Sequence, residues 1–311
     1  MPEILIQALI FVGTLVALVK SSDWFIGAAE RLGFALGLPS FVIGVTVIAT
    51  GTSLPELVSS IVAVKKGASE IVLGNVVGSN IANIGFVLGT VAILSKSFKI
   101  RHDIARADLP ILFGSALLLV LTLLDGEFGI TDAIVMLLGM VLFIAFNVLG
   151  SGHTVEEEDR PQFRPLDIVI VVATAVGIYF SARFNIESIQ NLSELLGIGS
   201  EVIALTAVSL GTSLPELVVS IVAMRKGSHE LVVGNVLGSN VFNTFAVMGI
   251  PAFFGKLVIP DIVLGFGLPM MMGLTFVFAF VTLDRKVNRW EGWLLFMLYG
   301  FFILETVRNA L

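Results

Sequence analysis

Ten apolar segments follow one another along the 311-residue chain. A transmembrane helix needs about 20 mostly apolar residues, so each segment is a candidate membrane span. The candidates are approximately residues 4-19, 41-64, 71-94, 108-124, 130-149, 166-184, 202-223, 231-254, 260-283 and 291-307. The amphipathic, Gly-rich stretch 21-40 is predicted to add a partial helix. The sequence therefore predicts an all-α integral membrane protein with ten transmembrane helices, in contact with the lipid bilayer.

The composition excludes several other classes of protein. Hydrophobic residues make up 56% and charged residues 14% of the chain, whereas soluble domains contain about 45–50% and about 25% of these classes. The net charge of -6 leaves no basic face to neutralise phosphates, so no nucleic-acid partner is expected. Because the chain has no cysteine, thiol catalysis, disulfides and Cys-ligated metal sites are excluded as well.

The orientation follows from the distribution of Lys and Arg, which are retained in cytoplasmic loops. With the amino terminus outside, 13 of the 18 basic residues lie in inward loops and 5 lie outside. An even number of spans then places both termini outside. One acidic segment divides the chain almost in half. We therefore predict a first five-helix repeat at 1-149, a short cytoplasmic linker at 150-165 and a second repeat at 166-311.

An internal repeat relates the two halves. Residues 51-89 align without a gap with residues 211-249, at a constant offset of 160 and with 25 identities in 39 positions. Each half contains five predicted spans. Because five is odd, the second copy enters the membrane from the opposite side, which makes the pair an inverted repeat. Such inverted repeats are typical of secondary transporters.

Each copy carries polar residues at helical spacing inside otherwise apolar spans. They are Thr52, Ser53, Glu56 and then Asn75, Ser79, Asn83 in the first copy, and Thr212, Ser213, Glu216 and then Asn235, Ser239, Asn243 in the second. Glu56 and Glu216 are the only acidic residues well inside any predicted span. An ionised carboxylate in hydrocarbon costs at least a few kcal/mol, so such residues usually line a pathway or bind an ion.

Each copy also places a proline beside its glutamate. Pro55 and Pro215 have no amide hydrogen, so the carbonyls of Gly51 and Gly211 lose their helical partners. We expect a broken helix that offers hydroxyl, carbonyl and carboxylate oxygens together. Hard cations such as calcium bind this kind of oxygen set, whereas transition metals select nitrogen and sulfur.

Charge counting narrows the choice of ion. Two facing carboxylates would repel each other or take up protons, whereas one divalent or two monovalent cations would neutralise them. Exchange of calcium for sodium is one use of that competition, and protons are a second possible competitor. In a purely structural alternative, the glutamates would only form hydrogen bonds between helices. That alternative does not readily explain why a glutamate occurs at the equivalent position of both inverted copies.

The repeats also contain glycines that are expected to let helices pack closely: Gly74, Gly78, Gly85, Gly89, Gly234 and Gly238.

Two other functional classes are weighed against a transporter. A membrane hydrolase is disfavoured because no predicted span has a central Asp pair, and none has a His or Lys to activate Ser53 or Ser213. A passive cation channel could use the same oxygens. Two inverted halves nevertheless suit alternating access better than a pore.

At these residues the sequence resembles the cation/calcium antiporter superfamily, specifically its prokaryotic sodium/calcium exchanger family. The resemblance rests on the paired GTSLPE and GN-x-x-GSN-x-x-N elements. It implies a monomeric Ca²⁺/Na⁺ antiporter of the prokaryotic plasma (inner) membrane, not an enzyme, with no organic cofactor. It also implies a central cluster of the second, third, seventh and eighth helices, across which the first and sixth slide. The runner-up is a Ca²⁺/H⁺ antiporter.

The resemblance also implies a ligand set. The calcium ligands fall on Glu56, Glu216, Thr52 and Thr212, and the sodium sites on Ser53, Ser79, Ser213 and Ser239 with the backbone carbonyls of Ala49 and Ser209. Many members of the family place Asp at one of the two positions that are Asn83 and Asn243 here. Asn at both positions makes potassium co-transport less expected and leaves two carboxylates in the site.

Overall fold

The computed structural model describes residues 2–150, 161–195 and 213–310, and this part of the chain is almost entirely helical. The α-helices are Pro2–Ala35, Ser40–Ile43, Ala49–Lys65, Glu70–Ala82, Gly89–Ser95, Asp108–Thr122, Ile130–Gly150, Pro165–Leu195, Leu214–Arg225, His229–Phe242, Leu268–Leu283 and Arg289–Ala310. Wide π-helical turns occupy Gly44–Ile48, Asn83–Leu88, Asn243–Val247 and Val263–Gly267, and a 3₁₀ turn lies at Pro251–Phe253.

The helices follow the predicted spans. Within the described ranges, 8 of them are long and apolar enough to cross a membrane, and the fourth predicted span is the shorter apolar helix Asp108–Thr122. Of the seventh span only Leu214–Arg225 is described. The prediction of a separate partial helix after the first span is wrong, because the first helix continues without a break to Ala35. The ten-helix plan of two inverted five-helix repeats is confirmed.

Two short strand pairings display the inverted symmetry. Strand β1 (Ser97–Lys99) pairs antiparallel with β2 (Lys286–Asn288), with Ser97 opposite Asn288. Adding the repeat offset of 160 to Ser97 and subtracting it from Asn288 gives Leu257 and Phe128, which form an isolated antiparallel bridge. The two pairings are therefore equivalent contacts at opposite ends of the bundle. The sequence did not predict either one.

Burial separates central spans from peripheral ones. The most apolar stretch of the eighth span is 100% buried, and those of the third and second spans are 78% and 56% buried. The corresponding value for the first span is 6%. Since apolar side chains lose nothing by facing lipid tails, the peripheral helices stay hydrophobic on their outer surfaces. The polar stripes lie on the central helices.

Glycines let the second and eighth spans approach each other closely. A Cβ atom built on Gly238 would lie 2.3 Å from the carbonyl oxygen of Val45, and one on Gly234 would lie 2.5 Å from that of Phe41. In the reverse direction, a Cβ on Gly44 would lie 2.7 Å from the carbonyl oxygen of Leu231. Only a residue without a side chain fits at these contacts, as expected for a helix interface in a membrane.

Two further glycines pack the third span against the tenth. A Cβ on Gly85 would lie 2.8 Å from that of Tyr299, and one on Gly89 would lie 3.1 Å from the carbonyl oxygen of Gly292. The predicted packing role is confirmed for Gly85, Gly89, Gly234 and Gly238. A Cβ on Gly74 or Gly78 would meet no described atom within 4 Å beyond its chain neighbours and the backbone of its own helix.

The first and sixth helices are joined to each other by polar contacts near both ends. Arg31 contacts the buried carboxylate of Asp167, with Nη2 and Nε at 2.7 and 2.9 Å from Oδ1. Towards the other end, the Asn185 amide donates to the Thr14 hydroxyl at 3.0 Å and to the carbonyl of Phe11 at 2.9 Å. The two helices therefore form a pair at the periphery of the bundle.

Candidate functional site

The described residues of the predicted site are all buried at the centre of the bundle. None of these side chains is more than 3% exposed: Ala49, Thr52, Ser53, Glu56, Ser79, Asn83, Ser213, Glu216, Ser239 and Asn243. Thr212 and Ser209 lie outside the described residues. Because burial of polar groups in a membrane is costly without partners, this concentration needs a specific explanation.

The glutamates approach each other from opposite halves. Glu56 lies midway along the helix Ala49–Lys65 of the second span, and Glu216 lies in the first turn of the seventh-span helix. The Ser53 hydroxyl donates to Oε1 of Glu216 at 3.4 Å. Ser53 lies three residues before Glu56 on the same helix, so this contact places Glu216 beside the helix face that carries Glu56. The inverted repeat therefore brings the two acidic residues into one site.

Most of the oxygens in this site have no hydrogen-bond partner within the described ranges. Seven such atoms come from six side chains: both carboxylate oxygens of Glu56, Oε2 of Glu216, the hydroxyls of Ser213 and Ser239, and the amide oxygens of Asn83 and Asn243. Buried polar groups in proteins are almost always satisfied, so each exception calls for an explanation. A set of oxygens left available on facing side chains is what a dehydrated cation requires.

The Thr52 hydroxyl extends this oxygen-rich surface to the backbone. Its Oγ1 lies 3.2 Å from the carbonyl oxygen of Ile48, 3.3 Å from that of Ala49 and 3.2 Å from Oδ1 of Asn235. One hydroxyl proton serves one of these acceptors at a time. The hydroxyl oxygen of Thr52 and the carbonyl oxygen of Ala49 therefore lie side by side on the helix that carries Glu56.

The helix containing Pro55 is continuous, which corrects the predicted break. The α-helix runs from Ala49 to Lys65 with Pro55 inside it. The irregular backbone lies earlier in the span, in the π-helical turns Gly44–Ile48. Pro55 still supplies no amide hydrogen to the carbonyl of Gly51. In the second repeat Pro215 lies in the first turn of the described helix, and Gly211 lies outside the described residues.

Asn75 and Asn235 brace the second and seventh spans at equivalent points. The Asn75 amide donates to the Ser60 hydroxyl at 3.0 Å and to the backbone carbonyl of Glu56 at 3.2 Å. The Asn235 amide donates to the Ser220 hydroxyl at 3.2 Å. Residues 60 and 220, like 75 and 235, are related by the repeat offset. Both amides therefore fix the helices that carry the glutamates.

A reciprocal pair that the sequence reasoning missed joins the third and eighth spans. The Asn80 amide donates to the backbone carbonyl of Asn240 at 3.3 Å, and the Asn240 amide donates to that of Asn80 at 3.4 Å. These residues are equivalent in the two repeats, so their contact lies on the inverting axis. Their repetition in the GSN motif was the available signal, but they fall outside the i, i+4, i+8 stripe.

The two halves of the site are not identical. The Asn83 amide donates to Oδ1 of Asn240 at 3.1 Å, whereas neither amide atom of Asn243 has a partner among the described residues. Asn80 donates at 3.0 Å to the hydroxyl of Thr244, whose equivalent in the first repeat is Ile84. One Asn is thus held by its neighbour, and the other remains available.

A change of backbone geometry marks both of these asparagines. The third span changes from α-helix to π-helix at Asn83, and the eighth changes at Asn243. Short π-helical segments are often found at functional sites, because the wider turn redirects side chains and carbonyls. In the described part of the chain, no group of three or more His, Cys, Asp or Glu could hold a metal ion. The donor set is therefore two carboxylates with hydroxyl and amide oxygens.

Comparison with known proteins assigns this fold and site to a family. Residues 6–149 and 166–307 match the model of the sodium/calcium exchanger protein family. The chain belongs to the sodium/calcium exchanger family. Like other members, it is an integral membrane protein, and the family is one of membrane exchangers and not of enzymes.

Relatives of this exchanger-family chain cover it almost completely. The sodium/calcium exchanger MaX1 of Methanosarcina acetivorans is 33% identical over 97% of this chain and 98% of its own length. The inner membrane protein YrbG of Escherichia coli is 29% identical over 96% and 95%. A solved structure of the sodium-calcium exchanger NCX_Mj, soaked with Na⁺ and Sr²⁺, superposes with a TM-score of 0.83 at 27% identity over 97% of this chain and 98% of that one.

Proposed function

We propose that this protein is a secondary active antiporter that exchanges Ca²⁺ for Na⁺ by alternating access. The observation that carries the proposal is the buried set of seven oxygens between the inverted repeats, with Glu56 and Glu216 at its centre. The charge of two carboxylates is neutralised by one calcium ion or by two sodium ions, so calcium and sodium compete for the same oxygens. Such competition at one site is the basis of coupled exchange.

The relatives support this choice of ions. MaX1 is named a sodium/calcium exchanger, and the NCX_Mj structure was obtained with Na⁺ and Sr²⁺, an alkaline-earth cation like calcium. We assign calcium binding to Glu56 and Glu216 with oxygens of Thr52 and Thr212. Sodium binding is assigned to Ser53, Ser79, Ser213 and Ser239, with the backbone carbonyls of Ala49 and Ser209. Asn83 and Asn243 contribute neutral amide oxygens.

The experiment that tests the proposal is uptake of radioactive calcium into proteoliposomes of the purified protein. An outward sodium gradient is compared with an outward proton gradient at zero membrane potential, and Glu216→Gln serves as the blank. Uptake driven by sodium supports the proposal. Uptake driven only by protons would replace it with a Ca²⁺/H⁺ antiporter, and calcium flux without either gradient would indicate a channel.

Asn243 offers a way to change ion competition without disturbing its neighbours. Its amide has no partner among the described residues, so Asn243→Asp adds a third carboxylate without breaking a described hydrogen bond. We expect the concentrations at which sodium and potassium inhibit calcium uptake to change by about tenfold, because an added charge in a buried site interacts strongly with cations. The control is Asn147→Asp, which adds a buried carboxylate on the fifth span away from the site and loses the bond from its amide to the Phe143 carbonyl. Unaltered competition in Asn243→Asp would contradict the assignment.

Alternating access requires the first and sixth helices to move together across the central spans. Their mutual polar contacts suit motion as a pair. A cavity of about 570 Å³ lies between them and the second span, and it is lined mainly by apolar residues such as Phe25, Val47, Leu54 and Val172. Apolar contacts form no directional bonds that would oppose sliding. We infer that this cavity marks the sliding surface.

Two polar contacts between the first helix and the turn that follows the seventh span oppose that motion. Lys226, in the turn between the seventh and eighth spans, contacts Asp23 on the first helix, with Nζ 2.9 Å from Oδ1 and also 2.9 Å from the backbone carbonyl. In the same turn the Ser228 hydroxyl donates to Oε1 of Glu30 at 2.8 Å. Both contacts must break if the first helix slides. They therefore stabilise the position that the first helix has in this structure.

Removing the ion pair is expected to speed exchange. An exposed ion pair contributes about 0.2–1 kcal/mol, so Asp23→Asn should raise the maximal rate by up to about fivefold and leave ion competition unchanged. The control is Glu187→Gln, which removes a carboxylate of equal 45% side-chain exposure from a pair within one helix. An unchanged or lower rate in Asp23→Asn would argue against a latch that breaks during transport.

The proposed topology places both termini outside a prokaryotic plasma membrane, with 150-165 as a cytoplasmic linker between repeats 1-149 and 166-311. We also propose that the functional unit is a monomer. Because the chain has no cysteine, single cysteines at Glu3 and Ala310 report position directly. Both should react with a membrane-impermeant maleimide on intact cells. Labelling of only one would contradict an even number of spans.

A further inference from the structure

A second cavity, remote from the buried oxygens, lies where several spans end. It has a volume of about 610 Å³ and is lined by residues of β1 and β2, by Ser40 at the start of the second span and by His229 at the start of the eighth. It opens on the side that the distribution of basic residues assigns to the cytoplasm. Since the spans end here, the cavity lies at the depth of lipid headgroups.

The strand pairing concentrates positive charge on one wall of this cavity. Side chains of a strand alternate between its two faces, and residues 97 to 101 alternate between exposed and buried. Lys99 and Arg101 are exposed and line the cavity, where the buried ring of Phe98 also forms part of the wall. In the register of the two strands, Lys99 lies directly opposite Lys286, which also lines the cavity.

This arrangement is unfavourable unless an anion is present. Like charges directly opposite each other on paired strands are destabilising, and neither lysine has an ion-pair partner in the described part of the chain. Glu230 also lines the cavity, and its Oε1 accepts the backbone amides of Arg101 and His102 at 2.9 and 3.0 Å. Three basic side chains there face one carboxylate.

The inverted repeat allows the strand pairing with the lysines to be compared with its equivalent at the other end of the bundle. This comparison argues against a need for the lysines in forming the pairing. The equivalent strand contact at the other end of the bundle, Phe128 with Leu257, forms where the counterparts of Lys99 and Lys286 are Ile259 and Gly126. Beside that contact Lys256 pairs with Glu127, with Nζ and Oε1 3.1 Å apart. The fold therefore makes this contact without facing lysines. The retention of basic residues on the cytoplasmic side explains why lysines occur at this end of the bundle. It does not explain why Lys99 and Lys286 lie directly opposite each other.

We propose that this cavity binds a phosphate group, held by Lys99, Lys286 and Arg101. Lysine and arginine are the usual protein ligands of phosphate, and the charge repulsion within the strand pair becomes attraction once the anion is bound. Basic pockets between transmembrane helices on the cytoplasmic side bind phosphate-bearing headgroups in other membrane proteins. The phosphate belongs to an anionic lipid or to a free phosphate ion, and the test distinguishes these sources.

The test is isothermal titration calorimetry on the purified full chain in a nonionic detergent. The probes are inorganic phosphate, dihexanoyl phosphatidic acid and, as a lipid without net charge, dihexanoyl phosphatidylcholine. We expect one anionic probe per chain to bind, and Lys99→Gln/Lys286→Gln to weaken that binding by about tenfold or more. The matched control Lys65→Gln/Lys66→Gln, which removes two lysines from another turn, should bind as the parent does.

The outcomes separate the sources and expose the proposal to failure. Equal binding of inorganic phosphate and phosphatidic acid identifies a free-phosphate site, and much tighter binding of phosphatidic acid identifies a lipid headgroup. Absence of binding by both, an unaffected Lys99→Gln/Lys286→Gln variant, or equal binding of phosphatidylcholine would overturn the proposal. The last result would trace binding to the acyl chains.

Thermal unfolding separates an anion site from a structural role of the lysines. In phosphate-free buffer the double glutamine variant should melt no lower than the parent, because it loses a repulsive pair. Added phosphate should raise the melting temperature of the parent and of Lys99→Arg/Lys286→Arg, but not of the glutamine variant. A lower melting temperature of the glutamine variant without phosphate would overturn the proposal.

Discussion

Replacing either Glu56 or Glu216 with glutamine is expected to abolish calcium transport while the protein remains folded in the membrane. Glutamine keeps the shape of the side chain and one oxygen but removes the charge. A cation between Glu56 and Glu216 would then face one carboxylate in a site that excludes water. Breaking a buried charge pair typically costs about 3–5 kcal/mol, which corresponds to a loss of about 100-fold or more in calcium affinity.

Calcium uptake by proteoliposomes measures this effect, with the amount of protein in the membrane determined in parallel. The control is Glu70→Gln, which removes an exposed carboxylate from the first turn of the third span. It should transport as the parent does. Glu56 has no described hydrogen bond from its carboxylate, and glutamine at position 216 keeps an oxygen that can accept from Ser53, so the glutamine variants should also melt no lower than the parent. Normal calcium uptake in either variant would contradict the assignment of the site.

The sequence predicts the membrane architecture because the bilayer allows few alternatives. Lipid offers no hydrogen-bond partners to the backbone, so each long apolar segment becomes a helix. The repeat offset of 160 predicts the inverted arrangement as well. Each repeat has five spans, and because five is odd, the second repeat enters the membrane from the opposite side. The same offset relates Glu56 to Glu216, and the structure brings both into one buried site. Polar residues in apolar spans thus indicate the centre of the bundle from sequence alone.

Other features depend on contacts that a hydropathy pattern does not contain. The first helix continues through its amphipathic stretch to Ala35, where contacts with the sixth helix such as Arg31 with Asp167 stabilise it. Pro55 lies within a continuous helix, since the backbone adjusts in the preceding π-helical turns. The two repeats also differ in how their asparagines are held, since Asn83 donates to Asn240 and the Asn243 amide has no partner among the described residues. None of these follows from periodicity.

The position of the second span depends on the small residues of the eighth. Gly238 packs so closely against the second span that a Cβ built on it would lie 2.3 Å from the carbonyl oxygen of Val45 and 2.7 Å from the Cβ of Ala49. A contact to backbone cannot be relieved by a change of rotamer, so the second span itself would have to move. Ala49 and Thr52 lie four and seven residues after Val45 on this span and would move with it.

We therefore expect Gly238→Ala, which adds a single methyl group, to impair both folding and transport. Overpacking of a buried interface costs typically about 1–3 kcal/mol, and a clash with backbone belongs at the upper end of that range. The melting temperature of the purified protein should fall by several degrees, and calcium affinity should fall because Thr52 is displaced from the facing glutamates. Gly114→Ala is the control, since its added Cβ would meet no described atom within 4 Å beyond its chain neighbours and the backbone of its own helix, and its exposed helix position tolerates alanine. Unchanged melting and uptake in Gly238→Ala would mean that the two spans have room to separate, and that the geometry of the ion site does not depend on their close contact.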